Sequence, residues 1–159
     1  YCSTDSEVTH PLLQSGIVLA GANNHKGEST QNGVLTALEF TQLDLSGTDL
    51  AVLSSCESAI GKDEIGEGIM GLRRALAVAG ARSSILSLWK VDDNATSKFM
   101  QLLYEKLKMK VDLIDALKQT QNEFRNGIVK SNLPGINWSD PFYWAAFQLS
   151  GDWRSIEFN

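Results

Sequence analysis

Residues 50–53, Leu-Ala-Val-Leu, form a short apolar run with no polar residue interposed. A strand with one wet face alternates apolar and polar side chains, whereas an unbroken run needs cover on both faces. That requirement constrains the fold more than any other feature, because helices must flank such a strand on two sides, as in sheets built from β-α-β units. Three further segments read as strands: SGIVLAGAN (15–23), SSILSLWKV (83–91) and the aromatic-rich FYWAAFQLSGDW (142–153). Between them lie segments with helical periodicity. LTALEFTQLDL (35–45) is a short helix with Thr36 as its cap. GEGIMGLRRALAVAG (66–80) puts Ile69, Leu72, Leu76 and Ala79 on one face and stops at Gly80. DDNATSKFMQLLYEKLKM (92–109) carries the stripe Phe99, Leu102, Leu103 and Leu107 behind an Asp cap. DLIDALKQTQNEFRNG (112–127) carries Leu113, Leu117, Thr120 and Phe124.

The resulting order, β-α-β-α-β-α-α-β, predicts an α/β sandwich with a mostly parallel sheet and helices on both faces. A chain of 159 residues fits one such domain, residues 1–159, and can bury a full core. In folds of this class ligands collect outside the carboxyl ends of the strands. Two unusual segments sit at such ends: SSCES after the Leu50–Leu53 run, and WKVDDN after the third strand.

Charge and composition exclude several function classes. The net charge is −5 and the basic residues are scattered, so no nucleic-acid partner is expected. No apolar run approaches the roughly 18 residues of a membrane span, so no membrane partner is expected either. The opening YCSTDSEVTH has no apolar core of a signal peptide, and the chain is read as cytoplasmic. Two cysteines, Cys2 and Cys56, make no disulfide framework and are not expected to pair. Two Cys and two His without C-x-x-C or H-x-x-x-H spacing give no zinc set. Asp63, Glu64 and Glu67 form a solvated cluster rather than a calcium loop. GKDEIGEGIMG is not a phosphate loop, since Asp63 rather than Ser or Thr follows Lys62. No metal or organic cofactor is expected.

Cys56 is the residue with chemistry to offer. A cysteine attacks as its thiolate, and a neighbouring imidazole or a helix N-terminus lowers the thiol pKa from its ordinary value of about 8.5. The amide of Cys56 is a candidate oxyanion donor, and Gly61, Gly66 and Gly68 would let backbone approach a substrate. The local sequence equally allows a buried core thiol, the commoner fate of a free cysteine.

The blocks PLLQSGIVLAGAN, LTALEF, DLAVLSSCESAIG, GEGIMGLRRALAVAGA, SILSLWKVDD and PFYWAAFQLSGDW, in this order, resemble a CHAT domain. This is a caspase-like module related to separase and often found beside TPR repeats. The resemblance covers Pro11 to Arg154. It implies a caspase–haemoglobinase-like sandwich and a cysteine endopeptidase working through a Cys-His dyad on a protein or peptide substrate. Cys56 in SSCES matches the nucleophile. The family's histidine lies in a His-Gly pair shortly before the PLLQSG block, and no such pair occurs in residues 1–10. The resemblance therefore implies that this chain is the C-terminal part of a longer protein, one that contains TPR repeats in related cases. An N-terminal segment would supply the catalytic His. His10, beside Pro11, and His25, in a polar loop, are the weaker candidates for that base. SLWKVDDN resembles the separase segment whose aspartate receives an arginine side chain. Asp93 matches that aspartate and Asp92 precedes it; either also suits the N-cap of the helix that follows.

Two readings remain beside each other. In one the chain bears the nucleophile of a peptidase and is inactive without its base. In the other it is an inert docking or regulatory module of the same fold. A nucleotide-binding α/β domain is a third, disfavoured by the missing phosphate loop.

Overall fold

The computed structural model describes residues 11–13, 15–19, 33–54 and 65–157. Five strands and four helices are assigned within them. Strands β1 (Gly16–Val18) and β2 (Val34–Thr36) form an antiparallel pair, with Ile17 opposite Leu35. Helix α1 (Ala37–Phe40) follows directly, because Thr36 ends the strand and caps the helix at once. Its hydroxyl accepts from the amide of Glu39, while the Glu39 carboxylate accepts from the Thr36 amide at 2.8 Å. This reciprocal box satisfies two amides that a helix start leaves without partners.

The second sheet has the order β3-β4-β5, with β3 at Ala51–Leu53, β4 at Ser83–Ser87 and β5 at Phe147–Gly151. β3 and β4 are parallel, with Leu53 level with Leu86. β4 and β5 are antiparallel, with Ser87 level with Phe147. The fold is thus α/β, but the expectation of a mostly parallel sheet gives way, among the described residues, to one parallel pair and two antiparallel ones. The helix count explains this. One helix, α2 (Ile65–Val78), joins β3 to β4 and returns the chain to the starting edge, which makes the pair parallel. Two helices, α3 (Asp93–Lys108) and α4 (Leu113–Arg125), join β4 to β5. The second undoes the travel of the first, so β5 starts at the end where β4 finished.

All five residues of β4 are buried, and its side chains alternate between two cores. Ile85 points to the α3–α4 side, where Phe99, Leu103, Leu107, Leu113, Phe124 and Phe147 assemble. Leu86 points to the α2 side, with Ile69, Leu72, Ala75, Leu76, Ala37 and Phe40. Helices therefore cover both faces of this strand, whereas the Leu50–Leu53 run, expected to be buried on both faces, is only half-buried in β3. The predicted faces are the buried ones: Ile69, Leu72, Leu76 and Ala79 on α2, and Leu113, Leu117, Thr120 and Phe124 on α4. Gly80 ends α2 at φ +102°, a conformation that L side chains rarely adopt. α3 and α4 are also joined by an ion pair between the buried Lys106 and the half-buried Glu123, Nζ to Oε1 at 3.0 Å. No helix among the described residues is long and apolar enough to cross a membrane.

Candidate functional site

The parallel pairing of β3 and β4 brings their carboxyl ends, Leu53 and Ser87, to the same end of the sheet. That is the end at which α/β folds bind ligands. Cys56 lies three residues beyond Leu53 along the chain. It falls outside the described residues, as do Cys2, His10, His25, Gly61, Asp63 and Glu64; the side chain of Glu67 is likewise not described. The half of the site that the structure does describe is the connection from β4 to α3.

That connection is held at three points. The Leu88 amide donates to the Ala146 carbonyl at 2.9 Å. Trp89 Nε1 donates to the Phe142 carbonyl at 3.0 Å. Val91 is buried in the α3–α4 core. The receiving segment is itself fixed. Asp140 Oδ1 accepts from the Phe142 amide at 2.9 Å and opens a 3-10 turn over Pro141–Tyr143. Trp144 Nε1 donates to the Ser139 carbonyl at 3.1 Å. The loop leaving β4 is therefore positioned by backbone and core contacts, and it delivers the two aspartates on a fixed frame. Trp89 and Phe142 remain 36% and 49% exposed, so this frame shows aromatic surface to solvent.

The two aspartates differ. Asp92 is the N-cap of α3, in extended conformation, and its Oδ1 accepts from the Ala95 amide at 2.9 Å. Asp93 is the first helical residue and is exposed. One aspartate is thus engaged in ending the loop, and the other presents its carboxylate to solvent beside it. Both stand where the helix dipole favours negative charge. Among the described residues no group of three or more His, Cys, Asp and Glu is placed to hold a metal ion.

Helix α2 carries two arginines, Arg73 and Arg74. Arg74 is exposed. Arg73 reaches neutral groups instead, donating from Nε to Ser150 Oγ at 2.9 Å and from Nη1 to Gln148 Oε1 at 3.2 Å. It thereby ties α2 to β5 across the sheet face. The partners are 75 and 77 residues away, beyond the reach of any local pattern.

The concentrated charge lies at the opposite end of the sheet. Arg82, just before β4, pairs with Asp49 at 3.0 Å and with Asp152 at 2.9 Å. Arg154 closes on Asp152 at 2.6 Å. Side-chain and backbone hydrogen bonds with Arg154, and then the bond from Arg82, hold the Asp152 carboxyl far below the usual carboxylate range. Asp152 in turn, followed by Asp49, raises the Arg82 guanidinium above its ordinary value. This network fastens the amino end of β4 to its two neighbours and leaves the candidate site free of it.

Comparison with known proteins finds a family for the chain. The family model described as "CHAT domain" matches residues 1–152. Tetratricopeptide repeat protein 28 of Mus musculus is 32% identical over 122 residues, which is 74% of this chain and 4% of that protein. Tetratricopeptide repeat protein 28 of Homo sapiens is 31% identical over 155 residues, 94% of this chain and 6% of that protein. The chain thus spans only a small part of the length of these relatives. No solved structure matches.

Proposed function

Because the chain belongs to the CHAT domain family, we propose that it is the nucleophile-bearing part of a cysteine endopeptidase within a longer, TPR-containing protein. The observation that carries this reading is positional. Cys56 follows the end of a strand whose parallel neighbour ends in the well-held loop bearing Asp92 and Asp93. In this mechanism the Cys56 thiolate attacks the scissile carbonyl carbon, and the C=O electron pair moves onto oxygen. The Cys56 amide is one of the donors to that oxyanion. The tetrahedral species collapses to a thioester as the C–N bond breaks, and the leaving amine takes the proton that a histidine removed from the thiol. Water, activated by the same histidine, then hydrolyses the thioester. That histidine comes from a segment preceding the blocks seen here. Asp93, exposed beside the Asp92 cap, receives a basic side chain of the substrate, while Asp92 holds the loop in place.

A second reading has its own support. The relatives are named for their tetratricopeptide repeats and not for hydrolysis, which suits an inert CHAT fold used for docking or regulation. Alkylation of Cys56 against pH, followed by peptide mapping with Cys2 as internal reference, separates the two readings. It should be run on this chain and on a longer one that includes the preceding His-Gly segment. The peptidase reading expects Cys56 of the longer chain to react with an apparent pKa well below about 8.5, and the short chain to lose that activation. If Cys56 in the longer chain titrates like Cys2, the docking reading takes its place.

A further inference from the structure

Beside α3, next to the candidate site but outside it, two cavities adjoin. The first, about 310 Å³, is lined by Asn94, Ser97, Lys98, Gln101, Asn132 and Trp138, among others. The second, about 270 Å³, continues past Trp138 and Ser131, which the two share, to Lys130 and Asn137. The α3 residues belong to the turns that leave the carboxyl end of β4, so the trough starts one residue after Asp93. Its floor is fixed, because Trp138 is buried and stacks on Phe124 of the core with centroids 6.0 Å apart.

The chemistry of this lining is unusual for the molecule. The chain carries 19 acidic and 14 basic residues, yet the two linings contain two lysines and no carboxylate. Neither Lys98 nor Lys130 forms an ion pair among the described residues. Lys98 Nζ donates to Gln101 Oε1 at 3.2 Å, and Gln101 Nε2 passes the contact on to Glu105 at 2.9 Å. The charge on Lys98 is therefore relayed through an amide and not cancelled. The other polar lining groups are the carboxamides of Asn94, Asn132 and Asn137 and the hydroxyls of Ser97 and Ser131. Each offers both a donor and an acceptor, which is what the main chain of an extended peptide presents in return.

We propose that the trough between α3 and the 127–138 segment is a docking site for an acidic, extended peptide segment of a protein partner. Its main chain pairs with the carboxamides, and its carboxylates meet Lys98 and Lys130. Lys98 stands five residues past Asp93, about 7 Å along the helix, so an acidic residue seated there avoids the Asp93 carboxylate. A nucleic acid is the poorer occupant, because two lysines neutralise few phosphates on a chain of net charge −5. The inference stands apart from the peptidase reading, since no part of it uses Cys56.

The test is fluorescence anisotropy of a labelled Asp- and Glu-rich peptide on the full chain, with Cys56→Ala in place so that cleavage cannot interfere. Binding should weaken with added salt, and a Lys-rich peptide should not bind. Lys98→Glu with Lys130→Glu should lower affinity at least about tenfold, while Lys98→Arg with Lys130→Arg should retain most of it. Neither lysine is buried or ion-paired among the described residues, and an unchanged circular dichroism spectrum checks that the fold persists. Lys98→Gln with Lys130→Gln gives a milder version, expected to fall between the two. Equal binding by the wild type and the charge-reversed variant would overturn the proposal. So would no measurable binding of the acidic peptide, or equal binding of a single-stranded oligonucleotide.

Discussion

On the α3–α4 side of β4 the core is aromatic and closed. Phe99 stacks on Phe147 with centroids 4.3 Å apart and meets Phe124 at 5.5 Å, and Phe124 stacks on Trp138. On the α2 side the buried residues are smaller, mostly Ala, Leu and Ile with Phe40. β3 belongs to both sides, and its three residues are only half-buried on each. The difference separates two duties. The α3–α4 side supplies rigidity to the loop that carries Asp92 and Asp93, and α2 follows, along the chain, the segment that carries Cys56.

If that division is right, the largest loss of stability should come from the closed side. Phe99→Ala removes a fully buried ring that touches two others and should cost about 3–5 kcal/mol. Urea unfolding monitored by circular dichroism measures it. Leu72→Ala on the α2 side should cost less, nearer the lower end of the roughly 2–5 kcal/mol range for such truncations. Equal losses would break the comparison. Gly151→Ala tests the seam that both sides share. A Cβ at that position would clash with the Arg82 carbonyl oxygen, and the residue sits at φ +98°. The change should cost about 1–3 kcal/mol from backbone strain alone, with the clash added, read by the same unfolding experiment.

Removing the loop's anchor should have a smaller effect, and one that divides by residue. Asp92→Ala loses the α3 cap, about 1 kcal/mol. Asp93→Asn should leave the unfolding midpoint nearly unchanged and instead alter turnover of Arg-containing peptides by the longer chain. If Asp93→Asn leaves that turnover intact, the substrate contact assigned to it is wrong. The smallest effect expected is pH-dependent. Asp152 titrates far lower when folded than when unfolded, so its contribution is fully present above the unfolded value of 3.8. It is lost as pH falls through the folded value. The melting temperature between pH 5 and 2 should therefore fall less steeply in Asp152→Asn than in the wild type. Parallel curves would remove the Arg82–Asp152–Arg154 network from the list of contributors.

Much of this was legible in the chain because helices announce themselves locally. The spacing of Ile69, Leu72, Leu76 and Ala79, and of Leu113, Leu117, Thr120 and Phe124, marks the buried faces directly. Thr36 is the cap that its position suggested. What the sequence hid was mostly non-local. β2 is hard to read because Val34–Thr36 is three residues long and runs straight into α1, so Leu35 and Thr36 fall within a segment of helical periodicity. The direction of β5 follows from helix count: two consecutive helices imply a return to the same end of the sheet. The burial of Lys106 against Glu123 depends on how α4 packs, which no local pattern reports. At the candidate site, Asp92 and Asp93 could not be told apart from sequence, since either fits an N-cap, and only the bond to Ala95 distinguishes them.

The central place of β4 also bears on how the protein is made. Sixty-four residues separate Ser87 from Gly151, the far end of the strand that covers its second edge. At about 5–20 residues per second of synthesis, that edge waits roughly 3–13 s after emerging before its partner exists. Throughout that interval a strand with Ile85 and Leu86 at its centre offers open hydrogen-bonding groups to any other nascent chain. A chaperone that captures short apolar strands during translation would therefore find Ser83–Ser87 with an open edge until β5 emerges. Release would become favourable only once Phe147 had left the ribosome.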